Sequence, residues 1–172
     1  FFDNVRLSAD RLVGNEGQGL AQVFVGLNPE RILGAALANG AALHAIEQAS
    51  RYANERAVWG KPIGAHQGIA HPLAQAKIEI ELARLMTRKA AWLFDQDLDA
   101  GEAANMAKYA AGEAATHAVD TAIQVHGGNG MSDEYGLVSL WALARTLRIA
   151  PVSREMILNY VGQHTLKLPK SY

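Results

Sequence analysis

The spacing of hydrophobic and polar residues predicts a chain built mainly from long helices. Over most of the sequence apolar side chains recur every three or four residues, which is the period of a helix with one buried face. No proline lies between Pro72 and Pro151, and this interval is rich in alanine, leucine, glutamate and lysine. Such residues lose little conformational freedom in a helix. We therefore predict an all-α protein that folds as an up-and-down four-helix bundle.

Glycines, prolines and capping residues predict where the helices begin and end. Asn28 suits an N-cap, Pro29 the first helical position and Glu30 the first turn, so a new helix is predicted here. The predicted helices span about residues 18–27, 29–55, 68–95, 102–126, 133–149 and 152–164. The faces predicted to be buried are Ile32, Ala36, Leu43 and Ile46 on the second helix, and Ile78, Leu82, Leu85 and Trp92 on the third.

The first residues of the chain follow a different pattern. Phe2, Val5 and Leu7 are interspersed with polar residues, which predicts a short strand. A single strand needs a sheet that the rest of this chain does not supply. The sequence also begins without methionine. We therefore expect it to be part of a longer protein.

Composition narrows the classes of function. The chain has 172 residues, with 16 basic and 17 acidic side chains and a formal net charge of −1. This balance argues against electrostatic binding of nucleic acid or of an anionic membrane. No apolar run approaches the roughly 20 residues of a membrane-spanning helix, and no secretory signal is recognisable. Cysteine is absent, which excludes disulfides and thiol chemistry. A cytoplasmic location is expected.

Few residue clusters suggest chemistry by themselves. A two-metal site in a helical bundle requires two Glu-x-x-His motifs, and the sequence contains none. Glu113, His117 and Asp120 share one helix face but cannot fill such a site, so no metal is predicted. Gly127 and Gly128 follow a predicted helix, which is typical of a helix C-cap. Without a Cβ they would also let backbone amides approach a phosphate group.

Four motifs, in order along the chain, resemble a known family. The first runs from Phe2-Asp3-Asn4-Val5-Arg6 to Gly14-Asn15-Glu16-Gly17-Gln18-Gly19. The others are Arg51-Tyr52-Ala53-Asn54-Glu55-Arg56-Ala57-Val58-Trp59-Gly60-Lys61-Pro62-Ile63, His66-Gln67, and Gln124-Val125-His126-Gly127-Gly128-Asn129-Gly130. Together they are similar to the C-terminal domain of an acyl-CoA dehydrogenase, and the resemblance covers essentially the whole chain.

The resemblance implies a flavoprotein. Such enzymes have a helical domain, a middle β-domain and a C-terminal helical bundle, and they are typically tetramers built as dimers of dimers. They use FAD to form the α,β double bond of an acyl-CoA thioester, and an electron-transfer flavoprotein usually accepts the electrons. Residues 1–16 would then be the end of the middle β-domain and a linker, and residues 17–172 the C-terminal bundle.

The resemblance also implies which residues bind FAD. Arg56 matches an arginine that binds the FAD pyrophosphate of a neighbouring subunit, and Gln124 to Gly128 match a turn that approaches the adenosine-diphosphate part of FAD. The implied cofactor-binding residues are Arg56, Ala57, Val58, Trp59, His66, Gln67, Gln124, Val125, His126, Gly127 and Gly128. Asn28 and Arg31 are expected to bind substrate.

The catalytic base is where the sequence departs from many relatives. Those relatives carry the base as a glutamate in a Glu-Gly-Thr motif, and Pro151 stands in its place here. Another branch of the family places the base directly before an arginine on the first long helix, and Glu30 matches that position. Glu30 is therefore our candidate base, and Glu155 is a weaker one. The alternative is that Glu30 merely favours a helix start, where the helix dipole suits an acid.

Two other functions stay open at this point. One is a non-catalytic bundle that completes the FAD site and the oligomer of a mixed acyl-CoA dehydrogenase assembly. The other, outside the family, is a plain helical interaction bundle. We further expect this chain alone not to hold FAD and to be inactive, because the flavin ring of relatives depends on the middle β-domain.

Overall fold

The computed structural model describes residues 1–170, which are mainly helical. The elements are α1 (Gly19–Glu55), β1 (Ala57–Val58), β2 (Lys61–Pro62), α2 (Gln67–Asp95), α3 (Gly101–His126), α4 (Leu137–Leu147) and α5 (Arg154–Tyr160). Short 3-10 turns lie at Ala9–Arg11, Ile63–Ala65 and Gly127–Met131, and a π-helical turn at Val161–Thr165 follows α5. The predicted all-α bundle is confirmed.

The core of the bundle is made chiefly of alanine. Helix α3 lies at the centre and contacts α1, α2, α4 and α5. Among the described residues, 20 of the 28 buried apolar residues are alanines. Because the distance between packed helices depends on the side chains at their contact, alanine lets these helices approach closely. Gly112 extends this to α4, since a Cβ there would lie 3.3 Å from the carbonyl oxygen of Leu147.

The prediction of two helices before residue 55 is wrong, because α1 is continuous through Pro29. Asn28 is therefore not an N-cap. Its side-chain oxygen accepts a hydrogen bond from Arg31 Nη2 at 2.7 Å, and the carbonyl of Leu27 accepts one from Arg31 Nε at 3.0 Å. These bonds tie the Arg31 side chain to the two residues that precede Pro29.

The predicted buried face of α2 is also wrong. Ile78, Leu82, Leu85 and Trp92 are 58–62% exposed. The face that packs on the core instead carries smaller side chains, chiefly Leu73, Ala76, Ile80, Ala83, Thr87 and Ala90. On α1 the prediction holds better: Ile46 is buried, Ile32 and Leu43 pack against the core, and only Ala36 is exposed.

The strand predicted for Phe2 to Leu7 does not form. Residues 1–8 adopt neither helix nor strand, and their side chains are exposed. A strand needs a neighbour to pair with, and none lies beside this segment. In the described part of the chain the only ladder joins β1 to β2. None of the helices described is long and apolar enough to cross a membrane.

Candidate functional site

Helix α1 ends in a two-residue hairpin that exposes a tryptophan. β1 and β2 pair antiparallel, with Val58 opposite Lys61. The residues between them, Trp59 and Gly60, have φ angles of +52° and +81°, as in a type I′ turn. A bulky residue rarely adopts positive φ, so the backbone at Trp59 is strained. Trp59 is nevertheless 87% exposed, and a strained, exposed aromatic residue is a candidate for a binding role.

Arg56 and His66 flank this hairpin. The backbone of Arg56 is fixed at both sides: its N–H donates to the Tyr52 carbonyl and its carbonyl accepts from the Ile63 N–H, both at 2.8 Å. Its side chain is exposed, and no carboxylate of residues 1–170 pairs with it. The guanidinium is therefore free to bind an anion.

His66 occupies the N-cap position of α2. Its ring meets the Trp59 ring edge to face at 6.0 Å. Its Nε2 atom is buried and has no hydrogen-bond partner within the described residues. Gln67, the first residue of α2, is exposed. A buried polar atom without a partner beside an open surface indicates a place where a ligand can donate or accept a hydrogen bond.

The turn after α3 is held by a buried histidine. His126 Nδ1 lies 2.7 Å from the Ala122 carbonyl oxygen, and its ring stacks on Tyr52 at 4.3 Å and meets Tyr135 at 5.0 Å. The side chains of Val125 and His126 are both buried. The Nε2 atom of His126, like that of His66, has no hydrogen-bond partner within the described residues. Gln124, in contrast, is exposed.

The glycines of this turn differ in the space around them. Gly127 has φ +58°, and a Cβ at Gly127 or Gly128 would meet no heavy atom within 4 Å. A Cβ at Gly130, in contrast, would lie 2.6 Å from the carbonyl oxygen of Ile123. Gly127 and Gly128 thus leave an open backbone surface, while Gly130 allows the turn to pack against α3.

These features lie at one end of the bundle. Asn129 donates a hydrogen bond to the Tyr52 hydroxyl at 3.1 Å, which joins the turn after α3 to the last residues of α1. Helix α2 begins beside the hairpin that follows α1. All eleven residues predicted to bind the cofactor are therefore brought together. An unpaired guanidinium, an open glycine surface and an exposed aromatic ring fit a dinucleotide with a pyrophosphate group such as FAD.

A second polar cluster lies at the other end of the bundle, around Arg31. The guanidinium is buried, with only 3% of the residue exposed, and Nη1 donates to Asn105 Oδ1 of α3 at 2.6 Å. Its carbon atom Cζ lies 5.8 Å from the centre of the Phe24 ring. Burial lowers the pKa of Arg31, and Tyr160 opposes this effect. No carboxylate of the described residues pairs with Arg31, so the positive charge is neutralised by no side chain of the bundle.

Arg31 lines a cavity of about 190 Å³ between α1, α3 and α5. The cavity is bordered on the α5 side by Tyr160 and His164, whose rings lie 4.9 Å apart. Of the two residues predicted to bind substrate, Arg31 therefore faces a cavity. Asn28 affects this cavity indirectly, because its side-chain oxygen accepts a hydrogen bond from the Arg31 guanidinium and so fixes its position.

Glu30 is exposed and does not line this cavity. It lies in the middle of α1 rather than in a first turn, so the helix dipole does not explain an acid at this position. Pro151 is close by: its Cδ would lie 3.8 Å from a Cβ placed on Gly34. Gly34 is one helical turn beyond Glu30 on the same face of α1. Pro151 therefore lies against α1 one helical turn from Glu30.

The loop that carries Pro151 is anchored by charged residues of α3. Lys108 Nζ donates to the Val152 carbonyl at 2.6 Å, and Glu113 accepts two hydrogen bonds from Arg148 at 2.8 and 3.1 Å. Lys108 is only 2% exposed. Burial lowers its pKa to about 8, although Glu155 and Glu113 act in the opposite direction.

The roles of Asn105 and Lys108 were not predicted from the sequence. The sequence does contain an indication of these roles. Both are polar residues, three positions apart in an alanine-rich helix, on the face that carries Ala104, Ala107 and Ala111. Polar residues among the alanines of a buried face indicate specific hydrogen bonds in the core.

Comparisons with known proteins identify the family. The model of the acyl-CoA dehydrogenase C-terminal domain matches residues 17–166. The acyl-CoA dehydrogenase FadE12 of Mycobacterium tuberculosis is 59% identical over an alignment of 174 positions, which covers 100% of this chain and 45% of that protein. The chain thus spans less than half the length of this relative.

Solved structures show the same architecture. A glutaryl-coenzyme A dehydrogenase in complex with glutaryl-CoA matches with a TM-score of 0.92 and 35% identity, over 99% of this chain and 44% of that one. PigA with FAD and proline matches with a TM-score of 0.93 and 28% identity, over 97% of this chain and 43% of that one. With a family model that matches most of its length and a relative 59% identical across all of it, the chain belongs to the acyl-CoA dehydrogenase family, whose C-terminal helical domain it contains.

Proposed function

We propose that this chain is the C-terminal part of an FAD-dependent dehydrogenase that forms the α,β double bond of an acyl-CoA thioester. Two comparisons support the ligands, since a similar structure contains FAD and another contains glutaryl-CoA. The unpaired Arg56 and the open turn at Gly127 and Gly128 fit the phosphates of FAD. An electron-transfer flavoprotein is the proposed electron acceptor, and this chain by itself is proposed to be inactive.

The distance between the two polar ends of the bundle supports a site shared between subunits. Arg56 follows Glu30 by 26 residues along one continuous helix, which corresponds to about 39 Å at 1.5 Å per residue. This distance is longer than an extended FAD molecule. Glu30 and Arg56 of one chain therefore serve two different flavins, and each site is completed in a dimer or tetramer.

The observation that carries the role of Glu30 is its position relative to Pro151. In many relatives the base occupies the position of Pro151, and proline cannot accept a proton. Pro151 lies beside Gly34, one turn from Glu30 on the same face of α1. A carboxylate at Glu30 therefore reaches the region that the missing glutamate would reach, from α1 instead of from the loop before α5.

Each residue of this end has a defined task in the proposed reaction. Glu30 accepts the proton from the α carbon of the thioester at its carboxylate. Bound FAD would supply the acceptor for the β hydrogen, which would leave as hydride, and the two carbon atoms would be joined by a double bond. Arg31 does not form an ion pair with Glu30. Neighbouring helix residues diverge by about 100°, and the Arg31 guanidinium is held by Asn28 and Asn105.

The test is Glu30→Gln in the complete subunit that carries this domain. Substrate should no longer bleach the flavin absorbance in a stopped-flow assay, while the amount of bound FAD stays unchanged. Glu47→Gln, an exposed acid farther along α1, is the matched control and should reduce its flavin at the rate of the parent. Unchanged flavin reduction in Glu30→Gln would show that another group is the base.

A second function is favoured by Pro151 and by the exposure of Glu30 in this chain. In it the bundle supplies Arg56 and the glycine turn to the flavin of another subunit and has no working base. The same assay separates the two proposals: in the second one substrate does not bleach the flavin even in the parent subunit, although FAD is bound, so Glu30→Gln has no activity to remove.

A further inference from the structure

The loop that joins α4 to α5 is held by α3 at its two ends and in its middle. The two ends are joined to each other, because the Arg154 N–H donates to the Arg148 carbonyl at 3.1 Å. Glu113 of α3 accepts two hydrogen bonds from Arg148 and lies 3.1 Å from Arg154 Nε. In the middle of the loop, Lys108 donates to the Val152 carbonyl at 2.6 Å. Glu113 thus fixes the ends of the loop, and Lys108 fixes its middle.

Lys108 occupies an unfavourable place for a charged side chain. It lies among the alanines of α3, with 2% of the residue exposed. In the described part of the chain no carboxylate forms an ion pair with its ammonium group. Burying an ammonium group without an ionic partner destabilises a fold. The stability of the bundle therefore does not explain a lysine at this position, and its contact with the loop is the remaining explanation.

The loop residues that Lys108 holds face the proposed site. Val152 lines the cavity that contains Arg31. The preceding residue, Pro151, lies against α1, where its Cδ is 3.8 Å from a Cβ placed on Gly34. Gly34 is one helical turn beyond Glu30. A displacement of the middle of the loop would therefore move one wall of the cavity and change the surroundings of the proposed base.

We propose that Lys108 is a positioning residue for the dehydrogenase reaction, because its hydrogen bond to the Val152 carbonyl fixes the loop over residues 148–154 against α1. This inference rests on the proposed function and adds a residue to it. Lys108 acts through the loop, since its ammonium group is buried and bonds to the loop backbone. Its effect on the rate is through geometry: a shift of about 1 Å around the reacting atoms can slow a reaction roughly a hundredfold.

The first test is Lys108→Met in the complete subunit with bound FAD. Methionine keeps most of the side-chain volume and removes the donor to Val152. In a stopped-flow assay the limiting rate of flavin reduction, measured per bound flavin, should fall roughly tenfold or more. The dissociation constant of the substrate should change by less than about threefold, because the hydrogen bond between Arg31 and Asn105 does not involve Lys108.

The control and the opposing outcome are equally specific. Lys89→Met, at an exposed lysine of α2, removes the same charge from the surface and should reduce its flavin at the rate of the parent. A merely structural role of Lys108 would lower the amount of bound flavin and leave the rate per bound flavin unchanged. That result would overturn the proposal.

Lys108→Gln separates the hydrogen-bond donor from the charge. Its amide group keeps an N–H donor without a charge, although the side chain is one atom shorter. The limiting rate should therefore lie between those of the parent and of Lys108→Met. Equal rates in Lys108→Gln and Lys108→Met would contradict a role for the hydrogen bond to the loop.

Hydrogen exchange followed by mass spectrometry reports on the loop itself and needs no catalysis. In Lys108→Met the loop amides, which include the Arg154 N–H, should exchange roughly tenfold faster than in the parent, while those at the centre of α1 keep their rates. Unchanged exchange would show that Lys108 does not hold the loop. A parent subunit that binds FAD but is not reduced by substrate would instead contradict the proposed function, and exchange alone would then decide whether Lys108 fixes the loop.

Discussion

Lys108 places a positive charge inside the bundle, and this has a measurable consequence for stability. Its ammonium group lies in the alanine-rich interior of α3 and donates to the Val152 carbonyl. Burial lowers its pKa from 10.5 to about 8, against the opposing effect of Glu155 and Glu113. The perturbation we consider is Lys108→Met, which keeps most of the side-chain volume and removes the titrating group.

The direction of the change in stability with pH follows from the number of protons that each state binds. Between pH 8 and 10.5 the folded chain has released the proton of Lys108, whereas the unfolded chain still holds it. Because the unfolded state binds more protons in this window, stability rises with pH. The shift to about 8 corresponds to a gain of about 2 kcal/mol between pH 7 and pH 9.5. Below pH 7 both states are protonated, and the full cost of burying the charge is present.

The assay is urea unfolding followed by circular dichroism at pH 7 and pH 9.5. The free energy of unfolding of the parent, relative to Lys108→Met, should increase by about 2 kcal/mol between these pH values. Lys61→Met, at an exposed lysine of the hairpin, should follow the parent at both pH values. If Lys108→Met shows the same pH dependence as the parent, the ammonium group is not buried as a charge and the reasoning fails.

Two further predictions concern the glycine turn after α3. Gly130→Ala should lower the free energy of unfolding by about 2 to 3 kcal/mol, because its Cβ would lie 2.6 Å from the Ile123 carbonyl oxygen. Thermal unfolding measures this loss, and an unchanged midpoint temperature would contradict the prediction. Gly128→Ala should leave the free energy of unfolding unchanged, since its Cβ meets no atom. It should nevertheless lower the flavin content of the complete subunit at least tenfold, because the added methyl group blocks close approach of FAD to the backbone. Gly40→Ala is the control, and normal flavin content in Gly128→Ala would refute a backbone contact at this turn.

The helices could be predicted from the sequence because they are long, periodic and bounded by glycines. The prediction of a helix over residues 102–126 differs from α3 by one residue. The break predicted at Pro29 was wrong because the capping pattern is local, whereas the helix is supported by Arg31, which bonds to Asn105 in α3. A contact between residues 74 positions apart leaves no trace in a local pattern.

The face of α2 shows a different limit of the sequence. Periodicity gives two apolar faces on this helix, one of large residues such as Leu82 and one of mostly small residues such as Ala83. Hydrophobicity alone favours the larger side chains as core, since they gain more from burial. The structure buries the smaller ones, because the helices already meet closely through alanine. Which face is inside depends on the neighbouring helices rather than on the helix itself.

Candidate site residues were accessible from the sequence only through the resemblance. Spacing alone left the glycine turn open between a helix cap and a ligand contact, and the structure allows both, since Gly127 ends α3 with positive φ and has open space around it. Asn105 and Lys108 were not predicted, because they act through contacts with distant residues. Asn105 accepts a hydrogen bond from the Arg31 guanidinium, and Lys108 donates one to the Val152 carbonyl.

Small and large apolar side chains are segregated on α2: the small ones face the alanine core, and larger ones such as Leu82 and Leu85 are exposed. Alanine lets α1, α2 and α3 pack closely, so the bundle is a stiff support whose two polar ends stay about 39 Å apart. Because these ends are too far apart for one flavin, the proposed reaction requires contacts between chains. The larger apolar side chains of α2, such as Leu82 and Leu85, are left exposed. Substituting an outer leucine by alanine should therefore change the free energy of unfolding less than enlarging a core alanine does.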